Sequence, residues 1–156
     1  MDWLFGKNSK PDVIDEVKMF IKDDLFISKT MYRRSERSVE EKLIEQLEEK
    51  FGCYPVRSQL QGKDKLKCDV DLFNKECGIE LKLARSLERA DEFQRAIGQI
   101  ACYALDDYKN TGVILLVIGE DEEKPERVKK IESIVKHFRQ VHVVYKQALA
   151  KRPNKQ

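Results

Sequence analysis

Residues 69–82 read Asp-Val-Asp-Leu-Phe-Asn-Lys-Glu-Cys-Gly-Ile-Glu-Leu-Lys, and they are the most informative stretch of this 156-residue chain. Polar and apolar residues alternate on both sides of the central Asn-Lys-Glu, a pattern typical of two strands joined by a hairpin turn. Side chains two positions apart lie on one face of a strand, so Asp69 and Asp71 share a face, and so do Glu80 and Lys82. Because the chain reverses at the turn, an antiparallel register would bring these four side chains onto one small area of the sheet.

Apolar periodicity on either side of the hairpin predicts the remaining elements. Helices are expected at residues 12–26, 38–51, 88–107 and 123–138, and strands at residues 54–60, 66–73, 78–84, 113–118 and 141–145. The run at residues 113–118 is apolar throughout, which is typical of a strand buried on both faces. The element order is therefore α-α-β-β-β-α-β-α-β, which indicates an α/β fold with a mixed sheet flanked by helices.

The length of the chain is typical of one domain and is sufficient to bury a sizeable core. We predict a single domain over residues 1–150 that consists of three consecutive parts. These are an N-terminal helical extension (1–35), a motif-bearing core (38–118), and a C-terminal helix and strand (119–150). A basic tail follows at residues 151–156, and we expect it to be disordered.

The composition excludes an integral membrane protein. Charged residues make up 37% of the chain and hydrophobic residues 41%, and the longest apolar run, at residues 113–118, is far too short to span a bilayer. Residues 1–6 lack the basic start and the long apolar centre of a secretory signal peptide. We therefore expect an intracellular, cytoplasmic protein that does not associate with a membrane.

Charge is unevenly distributed along the chain, although the formal net charge is only +2. Residues 124–156 hold ten Lys or Arg against two Glu, whereas residues 1–123 hold 20 basic and 26 acidic side chains. A basic C-terminal part could contact a polyphosphate while the acidic part holds a metal ion. The same distribution also fits a solvated helix face followed by a tail, so charge alone does not decide between the two.

The four cysteines and two histidines give no pattern of a zinc site. The cysteines form no Cys-x-x-Cys pair, which is the spacing that places two sulfurs on one metal or in one redox disulfide. A structural metal site or disulfide is therefore not expected. Two histidines are also too few for a histidine-based nuclease or a zinc hydrolase.

Glu40 occupies an unusual place in the second predicted helix. At about 100° per residue, it lies in the middle of the apolar stripe of that helix, which consists of Leu43, Ile44, Leu47 and Phe51. A buried glutamate is costly unless a charged group receives it. Glu40 could be a helix N-terminal charge that the helix dipole favours, or one side of a metal site above the sheet edge.

The hairpin itself allows two interpretations. Carboxylates of Asp69, Asp71 and Glu80 would provide the oxygen ligands that Mg²⁺ prefers. Lys82 could then hold an attacking water in line with phosphorus, or stabilise charge on phosphoryl oxygens. Alternatively, the hairpin is simply amphipathic, with its polar face in solvent and Lys82 in a surface salt bridge.

Four segments, in this order, resemble the motifs of the PD-(D/E)XK nuclease superfamily: Glu40-x-x-Leu43, Asp69-Val70-Asp71-Leu72, Gly78-Ile79-Glu80-Leu81-Lys82 and Gly98-Gln99-x-x-x-Tyr103. The resemblance covers residues 38–118 and implies the restriction-endonuclease-like αβββαβ core of that superfamily. Four motifs in order, each on the expected kind of secondary structure, make the resemblance specific.

The resemblance implies a role for each matching residue. Asp69 and Glu80 would be the metal-binding carboxylates, with the backbone carbonyl of Leu81 as a further ligand, and the metal would be Mg²⁺ or Mn²⁺. Lys82 would position or activate the attacking water. Glu40 would contact the metal directly or through water.

Two assignments within the resemblance stay open. Gln99 resembles the glutamine that many members place at the edge of the site, but Gln94 is a second candidate, and Gln99 could also be an ordinary solvated helix residue. Asp71 competes with Asp69 for the metal, and we prefer Asp69 because its offset from the motif glutamate is longer. The chain also departs from the family pattern, since Cys68 stands where many members have proline and the cysteines do not match the iron–sulfur set of RecB-type exonucleases.

We therefore expect a Mg²⁺- or Mn²⁺-dependent nuclease that hydrolyses phosphodiester bonds, in DNA rather than RNA. Phosphate contacts are expected from four cations: Arg85, Arg89, Lys129 and Lys130. A homodimer formed through the first helix is one way to cut both strands. Two alternatives remain open: a catalytically silent nuclease fold that binds nucleic acid or protein, and an adaptor that docks through residues 3–5 and the first helix.

Overall fold

The computed structural model describes residues 13–52, 56–58 and 68–154 of the chain. Its strands are β1 (Val56–Ser58), β2 (Val70–Leu72), β3 (Cys77–Leu83), β4 (Val113–Gly119) and β5 (Val141–Gln147). Its helices are α1 (Val13–Asp23), α2 (Lys29–Arg34), α3 (Glu36–Phe51), α4 (Ala84–Leu87), α5 (Ala90–Leu105) and α6 (Glu126–Val135). The strands form one sheet in the order β1-β2-β3-β4-β5, antiparallel from β1 to β3 and parallel from β3 to β5. The predicted α/β class, with a mixed sheet flanked by helices, is confirmed.

Helices cover both faces of the sheet, and β4 lies between β3 and β5 within it. Alternate residues of β4 contribute to two cores, one shared with α1 and α3 and the other shared with α5 and α6. Every residue of β4 is buried, as its uninterrupted apolar sequence predicts. The polar residues of β3 are therefore enclosed between two helical layers rather than exposed on an open sheet.

The predicted hairpin between β2 and β3 is present, and its turn has an unusual backbone. Three consecutive non-glycine residues have positive φ: Phe73 (58°), Asn74 (54°) and Lys75 (68°). This conformation is costly for L-residues, with Asn the best tolerated of the three. The carboxylate of Asp71 stabilises the turn by accepting the N–H of Lys75 at 3.1 Å.

The strand β2 is shorter than the sequence pattern predicts. It begins at Val70, so Cys68 and Asp69 precede the strand instead of belonging to it. The predicted residues 66 and 67 lie outside the described residues. This late start matters for function because it leaves part of the edge of β3 without a described strand neighbour.

Two short helices, α2 and α4, were not predicted. Ser28 Oγ caps α2 by accepting the N–H of Met31 at 3.1 Å, and Ser35 Oγ caps α3 by accepting the N–H of Ser38 at 3.0 Å. Helices of four to six residues contain too few turns to show an apolar period in the sequence, and this is why both were missed. The helix expected at residues 88–107 is α5, which follows α4 after a two-residue break.

The two ends of the chain are described to different extents. Residues 1–12, which include the segment of the adaptor hypothesis, lie outside the described residues. At the other end, within the segment expected to be a disordered tail, the guanidinium of Arg152 lies 5.3 Å from the ring centroid of Phe26. None of the described helices is long and apolar enough to cross a membrane.

Candidate active site

Because β2 begins at Val70, part of the edge of β3 has no strand neighbour among the described residues, and we call this part of the edge the gap. The two strands pair only as far as Val70 opposite Ile79. Beyond this point the Asp69 side chain pairs with the backbone of β3, because its Oδ2 accepts the N–H of Leu81 at 2.8 Å. The N–H and C=O of one strand residue point to the same edge, so the carbonyl of Leu81 also faces this gap.

Three further polar side chains are buried around the gap. Glu80 and Lys82 extend from β3 and are 3% and 7% exposed, and Glu40 near the beginning of α3 is 9% exposed. Asp69 lies close enough to both Glu40 and Glu80 for its charge to raise their pKa values. The structure thus brings together four of the residues that the sequence singled out, and we call Glu40, Asp69 and Glu80 the carboxylate cluster.

The surroundings of the carboxylate cluster disfavour ionisation. Burial raises the pKa of Glu80 to about 8, and the nearby Asp69 raises it as well. Burial raises the pKa of Glu40 to about 7, again with a contribution from Asp69. The pKa of Asp69 is also raised by burial, although the N–H of Leu81 opposes this shift. Carboxylates this close repel one another when ionised, so the cluster needs either shared protons or a cation.

Two oxygens of the carboxylate cluster are buried and have no hydrogen-bond partner among the described residues: Glu40 Oε1 and Glu80 Oε2. Such atoms are rare and destabilising in folded proteins. A cation that prefers oxygen ligands would satisfy both, so the chemistry of the donor set fits Mg²⁺ or Mn²⁺. The described residues contain no group of three or more His, Cys, Asp or Glu side chains that could hold a metal ion as it stands, so binding would require these side chains to rotate.

Helix α5 brings further residues to the same site. Glu92 Oε2 lies 3.8 Å from Lys82 Nζ, and burial together with the charge of the nearby Glu80 raises the pKa of the Tyr103 hydroxyl. Gln99 lies seven residues after Glu92 and four before Tyr103, positions that share one helix face. Its Oε1 is buried without a hydrogen-bond partner in the described part of the chain. We therefore place Gln99 on the side of α5 that faces the site rather than in solvent.

Sequence reasoning missed two acids of this site. Glu36 lies one turn before Glu40, and its pKa is raised by burial, an effect that the charge of Lys82 opposes. The i, i+4 spacing of the two glutamates was a usable signal, but the predicted helix began only at residue 38. Glu92 carried no such signal, because only the packing of α5 brings it to Lys82. The alternative candidate Gln94 is exposed.

Asp71 belongs to a separate buried network and not to the carboxylate cluster. It is 1% exposed, and its two oxygens accept hydrogen bonds from the Tyr108 hydroxyl at 2.6 Å and from Arg57 at 3.0 Å. The Tyr108 ring lies against Gly78, where an added Cβ would come within 2.6 Å of the ring. The structure thus separates Asp71 from Asp69, which the alternating pattern had placed together, and this supports the choice of Asp69.

The four cations expected to contact phosphate occupy different positions. Arg85 is exposed in α4, directly after β3. Arg89 pairs with an aspartate at the start of α5, and Lys129 pairs with a glutamate of its own helix, α6. Lys130 is exposed on α6. Of the four cations, Arg85 is the one that follows directly after β3, the strand that carries Glu80 and Lys82.

Comparisons of the chain with known protein families, with curated proteins and with solved structures found no match. The function must therefore be inferred from the chemistry and geometry of the site. The features that bear on it are the carboxylate cluster, the buried Lys82 and the cations nearby.

Proposed function

We propose that this protein is a cytoplasmic, metal-dependent nuclease that hydrolyses phosphodiester bonds, with DNA as its substrate and Mg²⁺ or Mn²⁺ as its cofactor. The observation that carries the proposal is the grouping of the buried Glu40 and Glu80 with the half-buried Asp69, beside the buried Lys82. Grouped acids of this kind weaken a folded protein unless a cation or protons compensate them. A role in phosphate chemistry accounts both for the acids and for the single buried ammonium among them.

The order of elements supports a restriction-endonuclease-like core of the PD-(D/E)XK type. Helix α3, strands β1 to β3, helix α5 and strand β4 follow one another as αβββαβ, with β4 parallel to β3. Three of the motif positions lie on elements of the expected kind, whereas Asp69 lies just before β2. The helical glutamate is on α3, the carboxylate and lysine of the last motif strand are on β3, and the glutamine is on α5.

The metal ion would be held by Glu40, Asp69, Glu80 and the backbone carbonyl of Leu81. These groups offer hard oxygen donors within one small region. A bound ion would neutralise the charge that develops on the phosphoryl oxygens during hydrolysis. Because the acids have raised pKa values, metal binding would also displace protons from them.

Lys82 is the group of the chain that would act on the phosphate. Its ammonium lies 3.8 Å from carboxylate oxygens of both Glu80 and Glu92, and these two acids fix its position. From there it would hydrogen-bond a phosphoryl oxygen, or hold the water that attacks phosphorus in line with the leaving oxygen. Tyr103 lies near the Glu80 carboxylate, and Gln99 would line the edge of the site.

Cations on the surface would supply affinity for the substrate backbone. Arg85, Arg89, Lys129 and Lys130 are the candidates from the sequence, and phosphate contacts of this type carry no sequence information. A homodimer would present two sites to the two strands of a duplex. Cutting of both strands by a dimer is therefore part of the proposal.

A cleavage assay tests the proposed function. Supercoiled, linear, single-stranded and branched DNA, and an RNA of the same sequence, would be incubated with Mg²⁺, Mn²⁺ or EDTA. Lys82→Ala is expected to lower the metal-dependent cleavage rate by at least about 10²-fold. Lys109→Ala is the control variant. Lys109 is exposed in the turn before β4, near the end of the sheet at which β3 and β4 begin, whereas Lys82 lies near the other end of β3. Cleavage that survives unchanged in Lys82→Ala would contradict the proposed site.

The alternative function is a catalytically silent nuclease fold that binds nucleic acid or another protein. One observation favours it: no described set of three acidic, His or Cys side chains is already arranged to hold a metal ion. A silent fold would bind DNA without cutting any substrate, and Mn²⁺ would not raise its melting temperature. A Mn²⁺-dependent rise in melting temperature that is lost in Glu80→Ala would favour the enzyme.

A further inference from the structure

A group of exposed arginines borders the carboxylate cluster. Arg33 and Arg34 end α2, Arg37 lies in the first turn of α3, and Arg85 lies in α4. We call these four residues the arginine corner. Residues 28–39 contain four basic side chains and one acid, so this segment carries a net positive charge.

The junction between α2 and α3 fixes the arginine corner beside the site. A single residue, Ser35, separates the two helices. Arg34 and Arg37 therefore lie on either side of Glu36, whose charge interacts with Lys82 in the site. Because Glu36 is directed toward the site while both arginines are exposed, the arginines form its rim.

Tyr32 joins Arg85 to the same corner. The Arg85 guanidinium lies 4.4 Å from the centroid of the Tyr32 ring, and the backbone N–H of Arg85 donates to the Tyr32 hydroxyl at 3.3 Å. Arg85 is also only three residues after Lys82, so this contact ties α2 to the end of the motif strand. A guanidinium held on an aromatic ring gives up less freedom when it binds an anion.

The corner extends along the edge of the sheet from β3 to β4. Arg33 Nε donates to Oε1 of Glu120, the residue after β4, at 2.8 Å. This pair is exposed on the arginine side, and a surface pair of this kind exchanges readily for another anion. Arg34 contacts the Met31 sulfur at 3.9 Å and forms no ion pair within the described residues. Arg37 Nε lies 3.2 Å from Glu41 Oε1, one turn further along α3, in a pair that is exposed on both sides. Because both ion pairs of the corner are at the surface, the guanidinium groups are accessible to a ligand.

An acidic loop lies along the chain between Glu120 and the lysines of α6. Residues 121–123, which directly follow Glu120, are three consecutive exposed acids in the loop before α6. Lys129 and Arg89 form exposed ion pairs with Glu126 at 3.3 Å and with Asp91 at 2.9 Å, as Arg33 does with Glu120, so the pairs alone do not distinguish the two groups of cations. A polyanion near α6 would meet this acidic loop before it reached the lysines.

We propose that the arginine corner binds the backbone phosphates of the nucleic-acid strand that flanks the scissile phosphodiester. It supplies most of the electrostatic affinity, in place of the lysines of α6. The identity of the ligand rests on the proposed function, whereas the position of the binding surface follows from the four arginines and the acidic loop. Guanidinium groups suit this role because each can form two parallel hydrogen bonds with phosphate oxygens.

Equilibrium binding without cleavage tests this proposal. The dissociation constants of fluorescently labelled single-stranded and duplex DNA would be measured by anisotropy in EDTA over a series of NaCl concentrations. Arg34→Gln/Arg37→Gln is expected to weaken binding at least about tenfold and to reduce the slope of log affinity against log salt by about two, one for each arginine–phosphate pair removed. Arg85→Gln is expected to reduce the slope by about one.

The matched control is Lys50→Gln/Lys109→Gln, which removes two exposed positive charges elsewhere. Lys50 lies near the end of α3, about 20 Å along the helix from Glu36, and Lys109 lies in the turn before β4. The proposal predicts little change in affinity or salt slope for this control. Thermal unfolding of each variant would show that it is folded, since all the replaced side chains are exposed.

The outcomes separate this proposal from the proposed catalysis. Unchanged binding in Arg34→Gln/Arg37→Gln, an equal loss in the control, or no binding of nucleic acid by the wild-type protein would each overturn the arginine corner. Selective loss of binding would support it, whether or not the protein cuts. Selective loss together with no cleavage by the wild-type protein would retain the binding surface and reject the nuclease.

Discussion

Asp69 and Asp71 are separated by one residue, yet the fold treats them in opposite ways. Asp71 is almost completely buried, and its oxygens accept hydrogen bonds from the Tyr108 hydroxyl, from Arg57 and from the backbone of the turn. Asp69 meets one backbone donor, at 2.8 Å, and two other carboxyl groups. One aspartate is surrounded by donors, and the other is surrounded largely by acids.

The difference shows that burial of an acid does not by itself indicate a functional site. A buried carboxylate that receives enough donors stabilises the fold, because its removal would leave those donors unpaired. A buried carboxylate beside other carboxylates weakens the fold when ionised, because the charges repel and desolvation is not compensated. The acids around Asp69 are not compensated by donors in this way, which is consistent with a site that requires a cation. Variants of the two aspartates test this comparison directly.

The largest expected effect is on activity. Asp69→Asn is expected to lower metal-dependent cleavage by about 10²–10³-fold, because it removes a charged donor from the metal site. Asp71→Asn keeps the shape of the side chain outside that site, so its cleavage rate per folded molecule should stay within a few-fold of wild type. Rates would be measured below the unfolding temperature of both variants. Equal losses of activity in the two variants would remove the functional distinction between the aspartates.

A smaller effect is expected on stability, and here the loss of Asp71 matters more than the loss of Asp69. Asp71→Ala should lower the free energy of unfolding by about 2–3 kcal/mol, because the buried Tyr108 hydroxyl and the partly exposed Arg57 are both deprived of their acceptor. Asp69→Ala should change it by less than about 1 kcal/mol near pH 8, because relief of repulsion offsets the missing bond to the Leu81 N–H. Urea unfolding measures both values. A larger loss of stability in Asp69→Ala than in Asp71→Ala would mean that the carboxylate cluster is structural.

A third expected effect is a pH dependence of stability in the absence of divalent ions. Burial raises the pKa of Glu80 from 4.5 to about 8 and that of Glu40 from 4.5 to about 7. The unfolded chain therefore releases these protons at lower pH than the folded protein does. The stability contributed by these two acids is greatest below about pH 4.5 and declines as the pH rises through 7 to 8.

This dependence can be followed by the urea midpoint in EDTA between about pH 5.5 and pH 8.5. We expect the midpoint to fall as the pH rises, and Glu80→Gln to make the fall shallower because it removes the group with the larger shift. Mn²⁺ should raise the midpoint most at the upper end of this range, where fewer protons compete for the carboxylates. A midpoint that stays constant in EDTA would show that the acids are not crowded in solution.

Much of the fold could be predicted from local pattern. The all-apolar run before Gly119 predicted the buried strand β4, and the stripe around Glu40 predicted its burial on the core side of α3. The extent of β2 could not be predicted, because alternation continues through Asp69 in the sequence while the strand does not. The short helix α2 could not be predicted, because six residues show no period. The positions of Glu36 and of the arginine corner, which depend on α2, could not be predicted either.

The candidate site could be predicted only in its local parts. Glu80 and Lys82 alternate on one strand, and Glu40 sits on one helix stripe, so each position depended on neighbours a few residues away. The sequence alone therefore determined the class of fold and the hairpin, and it named the candidate residues for the proposed metal and phosphate chemistry, because strand and helix periods are set by the local backbone. Only the tertiary structure decided that the Asp69 side chain pairs with the N–H of Leu81, that Asp71 is paired elsewhere, and that α5 brings Glu92 to Lys82. These outcomes depend on packing between distant segments, where burial and hydrogen bonding choose among arrangements that local patterns leave equally possible.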